Sequence, residues 1–123
     1  MDRTDPLLAA LNDRYGGALR AVAVRPSGSE RYDLKFERED ATCSEDLLRD
    51  LLIESLYTDG QERLYGAGDL RAVVRLFDDL IAVNVLDPAG NAGAFVGLDA
   101  GAGVDPTAVI ELCQRHCPAI NPA

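Results

Sequence analysis

Lysine is almost absent from this chain. Lys35 is the only one, so the 12 basic residues include 11 arginines. Acidic residues number 21, and the formal net charge is −9 at pH 7. Proteins that bind nucleic acids place clusters of Lys and Arg against the phosphates. The charge balance therefore argues against nucleic acid as a direct partner.

An acidic chain with so little lysine, and with much alanine, aspartate and valine, is typical of salt-loving organisms. Concentrated salt screens the repulsion that a high net charge would otherwise cause. The alternative is an ordinary acidic protein from a GC-rich genome, in which codon bias replaces Lys by Arg. We favour the halophile, which predicts that low salt will loosen the fold.

Long apolar runs are also missing. No stretch of ~18 apolar residues occurs, so we expect no membrane-spanning segment. The N-terminus lacks a basic region followed by an apolar run, which argues against a signal peptide and favours a cytoplasmic protein. A length of 123 residues suits a single domain, 1–123. We expect residues 5–117 to form its folded core and residues 118–123 a frayed tail.

Thiol and imidazole ligands for a metal ion are few, with three cysteines and one histidine. Cys113 and Cys117 are spaced by one helical turn with His116 beside them, so both thiols could face one ion. A structural zinc site needs four ligands, and Cys43 is the only further thiol. Cysteine is also a small residue suited to a core. We therefore predict reduced thiols that pack in the core, no bound metal and no cofactor.

Catalytic motifs are not evident either. Asp78-Asp79 could be paired carboxylates for acid–base chemistry, but a two-residue hairpin turn fits them better. Gly97, Gly101 and Gly103 could suggest a phosphate loop, yet their segment lacks lysine and fits neither the dinucleotide nor the P-loop fingerprint. We expect no catalytic residues and no enzymatic activity.

The segment 69–99 predicts three antiparallel strands. Residues 69–77 alternate in the manner of a half-buried strand, and residues 80–86 are nearly all apolar, which indicates a strand covered on both faces. Turn-forming residues at 88–91 precede a third strand at 94–98. Short connections between successive strands make the neighbours antiparallel.

The N-terminal part predicts a helix and two strands. Asp5-Pro6 is a helix start, and Gly16-Gly17 ends that helix. Strands are expected at 19–25 and at 32–37. The second of them alternates charged with apolar residues, which is typical of an edge strand.

Two further helices complete the chain. Thr42 or Ser44 caps a middle helix with a wide leucine stripe, which we expect Asp59-Gly60 to break or kink. Asp105-Pro106 starts the last helix, and Pro118 stops it.

The predicted order is α-β-β-α-β-β-β-α, an α+β fold with a single five-stranded antiparallel sheet and helices on both faces. This order, in about this length, resembles the roadblock/dynein-light-chain domains, which have a profilin-like or longin-like architecture. In that family the first and last helices lie on one face of the sheet and the middle helix on the other. The segment LYGAGDLRAVVRLFDDLIAVNVL, residues 64–86, also resembles small haloarchaeal proteins.

The resemblance implies a homodimer that forms through the middle helix and the strand after it. On this chain the implied interface residues are Leu48, Leu52, Leu56, Arg71, Val73 and Arg75. The alternative is that the leucine stripe belongs to the monomer core and that the arginines are solvated.

The resemblance also implies a function. Roadblock relatives are non-enzymatic scaffolds, so we expect an adaptor that acts in signalling or with a small GTPase. The alternative is a sensor of a halophilic archaeon that holds a small ligand between sheet and helix. A cavity near the three-stranded segment would favour that alternative.

Overall fold

The computed structural model describes residues 5–41, 44–55, 57–87, 91–101 and 103–120. Four α-helices and five strands lie within these residues. In chain order they are α1 Pro6–Tyr15, β1 Leu19–Arg25, β2 Asp33–Glu37, α2 Glu45–Ser55, α3 Thr58–Tyr65, β3 Ala72–Leu76, β4 Leu80–Asp87, β5 Ala92–Asp99 and α4 Pro106–His116.

The five strands form one antiparallel sheet in the order β2-β1-β5-β4-β3. The predicted α+β fold with a five-stranded antiparallel sheet is therefore confirmed. Two of its strands, β1 and β5, are distant in sequence but pair at the centre, which leaves β2 and β3 at the two edges. The prediction that β2 is an edge strand is confirmed as well.

Helices cover both faces of the sheet, as the family pattern implies. The first core lies between the sheet and the pair α1 and α4, and its fully buried side chains include Leu7, Leu11, Val22, Val83, Val96, Leu98, Val109 and Cys113. A second, smaller core lies on the opposite face, where Leu51 of α2 packs with Ala23, Tyr32 and Phe95. Because β4 is buried from Ile81 to Leu86, it is covered on both faces, as its apolar sequence predicts.

Both Asp-Pro pairs start helices. One carboxylate oxygen of Asp5 accepts hydrogen bonds from the N–H groups of Leu7 and Leu8, each at 3.0 Å. The Asp105 carboxylate accepts one from the N–H of Thr107, also at 3.0 Å. These bonds satisfy N–H groups that the first helical turn leaves without a partner.

The predicted break at Asp59-Gly60 is wrong. Gly60 lies inside α3, and the interruption falls earlier, between Ser55 and Thr58. Tyr57 precedes α3 with φ −101° and ψ 1°, outside the helical range. The element order is therefore α-β-β-α-α-β-β-β-α. A glycine weakens a helix by only about 1 kcal/mol, so it does not by itself end one.

The strand β3 starts later than the sequence indicates, at Ala72 instead of Asp69. The Leu70 N–H donates to the Glu62 carboxylate of α3 at 2.6 Å, and so it does not take part in the sheet. The hairpin turn at Asp78-Asp79 is confirmed, since the Phe77 N–H donates to the Leu80 carbonyl at 2.8 Å. The other predicted turn falls largely on residues 88–90, which lie outside the described residues, as do Thr42, Cys43 and Leu56.

Candidate functional site

The open edge of β3 is the first feature that could support a function. The Leu86 N–H donates to the Arg71 carbonyl, and the Phe77 N–H to the Leu80 carbonyl, each at 2.8 Å. Odd-numbered residues of this strand therefore direct their main-chain groups toward β4. Alternate residues direct them to the opposite side, so Ala72, Val74 and Leu76 present their N–H and C=O groups at the open edge.

Apolar side chains are exposed along the same edge and nearby. Val74 is 43% exposed, Leu76 75% and Phe77 54%. The helical side adds Ile53 of α2, Tyr57, and Leu64 and Tyr65 of α3, all of them exposed. An edge strand with exposed apolar side chains is a template for pairing with another chain.

A cleft of about 310 Å³ lies between α2, α3 and the face of β3 and β4. Its floor includes Val73, Asn84 and Leu86, and its helical wall includes Glu54 and Gln61. The Arg75 guanidinium donates a hydrogen bond to the Glu54 carboxylate. Both side chains remain partly exposed, at 38% and 35%. The cleft therefore combines a largely apolar floor with one positive and one negative group.

Asn84 is the buried polar residue of this floor, with 3% exposure. Its side-chain oxygen accepts a hydrogen bond from the Tyr32 hydroxyl at 3.3 Å. Burial raises the pKa of Tyr32 above its ordinary value, against a smaller opposing effect of the Arg25 charge. Because that hydroxyl stays protonated, it remains a hydrogen-bond donor to Asn84.

The residues of the predicted interface do not form one patch. Leu48 and Leu52 are half-buried and line a second, open groove of α2 beside β2. Val73 and Arg75 line the cleft described above, near the opposite edge of the sheet. Arg71 is exposed, and its Nη2 lies 3.9 Å from the Asp69 Oδ2. Leu56 lies outside the described residues.

Sequence reasoning missed Glu54 and Asn84, and it missed the exposed edge formed by Val74 and Leu76. One signal was available, because Asn84 is the single polar residue in the apolar run 80–86. No comparable signal marks Glu54, which looks like any charged residue on the polar side of a helix.

The two described cysteines pack in the first core. Cys113 and Cys117 are 0% and 1% exposed and carry free thiols. Burial raises the pKa of Cys113 to about 12 and also raises that of Cys117. The thiols stay protonated at neutral pH, and the prediction that they pack in the core is confirmed. Among the residues that the structure describes, no three His, Cys, Asp or Glu side chains are grouped to hold a metal ion.

Comparison with solved structures defines the class of fold. The crystal structure of a Roadblock/LC7 domain from Streptomyces avermitilis superposes with a TM-score of 0.61, at 15% sequence identity, and the match covers 98% of this chain and 97% of that one. The fold is thus that of a roadblock domain, as the order of elements predicts.

Comparison with family models then places the chain. It belongs to the family DUF7522, described as a domain of unknown function, whose model matches residues 5–117. No curated protein matches the chain. In the described parts of the chain, no helix has the length and apolarity that crossing a membrane requires.

Proposed function

We propose that this protein is a non-enzymatic interaction module that forms a homodimer through the open edge of β3. The observation that carries the proposal is the contrast between the two edges of the sheet. The edge strand β2 carries Asp33, Lys35 and Glu37, and its pairing with β1 is irregular between Val22 and Ala23. Charges and bulges of this kind protect an edge from unwanted pairing.

The edge strand β3 has no such protection. Its one charged residue, Arg75, points to Glu54 of α2 instead of lying along the edge. Its outward main-chain groups belong to Ala72, Val74 and Leu76, and the last two side chains are exposed. A second copy of the chain would satisfy these main-chain groups and would place its own Val74 and Leu76 side chains beside these two.

A twofold axis restricts how two copies can meet. In an isologous contact the same strand meets itself, so the two β3 strands run antiparallel. We centre the pairing on Val74, the middle one of the three residues whose main-chain groups face the open edge. The sheet then continues from one copy into the next. This strand carries Val73 and Arg75 of the implied interface, and Arg71 lies directly before it. The contribution of Leu48, Leu52 and Leu56 to the dimer interface stays a prediction.

Pairing would also create a surface for a third chain. Val74 and Leu76 lie opposite Val83 and Ile81 of β4, so they share the face that α1 and α4 cover elsewhere. Side chains from both copies would form one apolar strip on that face. An adaptor needs such a surface, and the family resemblance implies a small GTPase or another signalling protein as its partner.

The molar mass in molar KCl tests the dimer. We expect size-exclusion chromatography with light scattering to give twice the chain mass of 13.2 kDa. Val74→Pro should give the monomer mass, because proline removes an N–H from the open edge without removing a hydrogen bond to β4. The matched control Val74→Thr keeps both the N–H and the branched shape, and it should remain a dimer.

A monomeric wild type, or a Val74→Pro variant that stays dimeric, would refute the proposed interface. The partner is tested separately by affinity purification from the native host in high salt, followed by mass spectrometry. A co-purifying GTPase would support the adaptor role, whereas a protein that elutes without any partner would count against it.

A further inference from the structure

The cleft between α2–α3 and the sheet has the size of a small-molecule site. Its volume of about 310 Å³ lies at the lower end of the range for ligand pockets. It is lined by residues of α2, α3, β3 and β4, so four elements fix its shape. A ligand that fits must be compact.

The charges of the cleft restrict the ligand further. Arg75 and Glu54 lie in contact at one end. A simple anion would be attracted by Arg75 but repelled by Glu54. A simple cation would be attracted by Glu54 but repelled by Arg75. A guanidinium has five N–H donors, and the contact with Glu54 uses one of its nitrogens. A zwitterion could therefore engage both groups without breaking their contact.

Asn84 adds an independent observation. Only 3% of its surface is exposed, and it lines the cleft. Its amide oxygen accepts a hydrogen bond from the Tyr32 hydroxyl, so its amide nitrogen is the group of Asn84 that can donate to a ligand. A ligand oxygen in the cleft could accept a hydrogen bond from this amide.

Part of the remaining wall is apolar. Leu70, Val73 and Leu86 line the cleft beside the charged pair. An aliphatic side chain placed against them would lose its contact with water, which favours binding.

We propose that this cleft binds a free α-amino acid with a small aliphatic side chain. The ligand carboxylate binds Arg75 and the amide nitrogen of Asn84, the ligand ammonium binds Glu54, and the side chain packs on Val73 and Leu86. The site would make the protein a sensor as well as an interaction module. It does not rest on the dimer, because its contacts are side chains of one chain.

Titration calorimetry of the wild-type protein in molar KCl tests the ligand class. We expect valine, leucine or isoleucine to bind with one site per chain. N-acetylvaline lacks the ammonium and valinamide lacks the carboxylate, so each should bind about tenfold more weakly or worse than valine, as the loss of a charge-assisted hydrogen bond predicts. If none of the three amino acids binds, or if the blocked compounds bind equally well, the proposal is wrong.

Variants test the residues. Arg75→Gln and Glu54→Gln should each weaken binding about tenfold or more. Arg71→Gln is the matched control, because Arg71 is exposed outside the cleft, and it should bind as the wild type does. An equal loss in Arg71→Gln would refute the assignment. Circular dichroism confirms the fold of each variant, and if one fails to fold, the blocked compounds still decide the question on the wild type.

The monomeric variant separates the two proposals. Val74→Pro should bind the amino acid as tightly as the wild type, since Val74 does not line the cleft. A monomeric wild type that binds valine would overturn the dimer alone. A dimer that binds no amino acid would overturn the ligand site alone.

Discussion

At the scale of single residues, Gly93 shows how the second core depends on one missing side chain. A Cβ atom at this position would overlap the Tyr32 hydroxyl and would lie 3.2 Å from the Val85 carbonyl oxygen. Tyr32 is itself fixed by burial and by its hydrogen bond to Asn84. The glycine is therefore required by close approach, and the cleft floor depends on it.

We expect Gly93→Ala to lower the free energy of unfolding by about 1–3 kcal/mol, the usual cost of overpacking a core. Gly97→Ala is the matched control on the same strand, because its nearest neighbour would be the Leu80 Cδ1 at 3.5 Å, an ordinary contact. Denaturant unfolding in molar KCl measures the free energy of unfolding of both variants. Equal effects of the two variants would show that the close approach to Tyr32 carries no weight.

A second residue-scale feature is the ion network at one end of the sheet. The Arg38 guanidinium donates two hydrogen bonds to the Asp99 carboxylate, at 2.7 and 2.9 Å, and a third to the Gly17 carbonyl at 2.7 Å. Its Nε donates to Asp40. Hydrogen bonds from Arg38 hold the pKa of Asp99 below its ordinary value of 3.8, against the opposing effect of desolvation. The network ties the end of β2 to that of β5.

A carboxylate whose pKa is lowered by folding stabilises the protein above its unfolded-state pKa and loses that contribution as the pH falls. Asp99→Asn should therefore destabilise the protein at neutral pH, by at most about 1 kcal/mol since the pair is partly exposed to solvent. The difference from the wild type should shrink as the pH falls below 3.8.

Unfolding curves of both proteins from neutral to strongly acidic pH measure this difference. Asp46→Asn is the control, because Asp46 makes a single exposed contact with Arg49 at 3.5 Å and should change little. A difference for Asp99→Asn that is independent of pH would contradict the role assigned to its charge.

At the scale of elements, the two glycines of α3 separate helix propensity from helix termination. Gly60 lies within the helix, whereas Gly66 ends it in the left-handed conformation with φ 60°. A Cβ atom would have open space at both positions. Only the backbone conformation distinguishes them, and residue type alone does not reveal it.

We expect Gly60→Ala to raise the free energy of unfolding by about 0.5–1 kcal/mol, because alanine loses less conformational entropy in a helix. Gly66→Ala should lower it by about 1–2 kcal/mol, since alanine is strained in the left-handed region. Thermal unfolding of the two variants shows whether each one is more or less stable than the wild type. A destabilising Gly60→Ala would mean that α3 is not helical at this position.

The elements themselves were largely predictable. The apolar runs 19–25 and 80–86 and the alternation in 32–37 are local signals, and so are the caps Asp5 and Asp105. The break between α2 and α3 was misplaced because glycine was given more weight than it has inside a helix. The late start of β3 was missed because the Leu70–Glu62 hydrogen bond joins residues of a loop and a helix that sequence does not connect.

At the scale of the whole molecule, the net charge affects the stability of the fold. The net charge is −9 on 123 residues, and the excess carboxylates repel one another in the folded state. Raising the ionic strength from about 0.1 M to about 1 M shortens the screening length from about 10 Å to about 3 Å. That change should weaken the repulsion between carboxylates far apart on the surface.

We therefore expect the thermal midpoint to rise as KCl increases over this range. Sucrose is the control, because it favours burial by exclusion from the surface without screening charge. A rise of the thermal midpoint in KCl but not in sucrose supports a fold adapted to salt. An equal gain in sucrose, or a midpoint that KCl leaves unchanged, would support the ordinary acidic protein instead.

Local sequence patterns account for the strands, most helix ends and the burial of the cysteines, because each depends on neighbours a few residues away. The net charge follows from the composition. The position of β3 at the other edge of the sheet depends on the tertiary structure, since it follows from the pairing of β1 with β5. The tertiary structure also decided the cleft, because Glu54 and Arg75, 21 residues apart, meet only when α2 lies across the sheet. Contacts between distant segments depend on the packing of whole elements, and no local pattern encodes them.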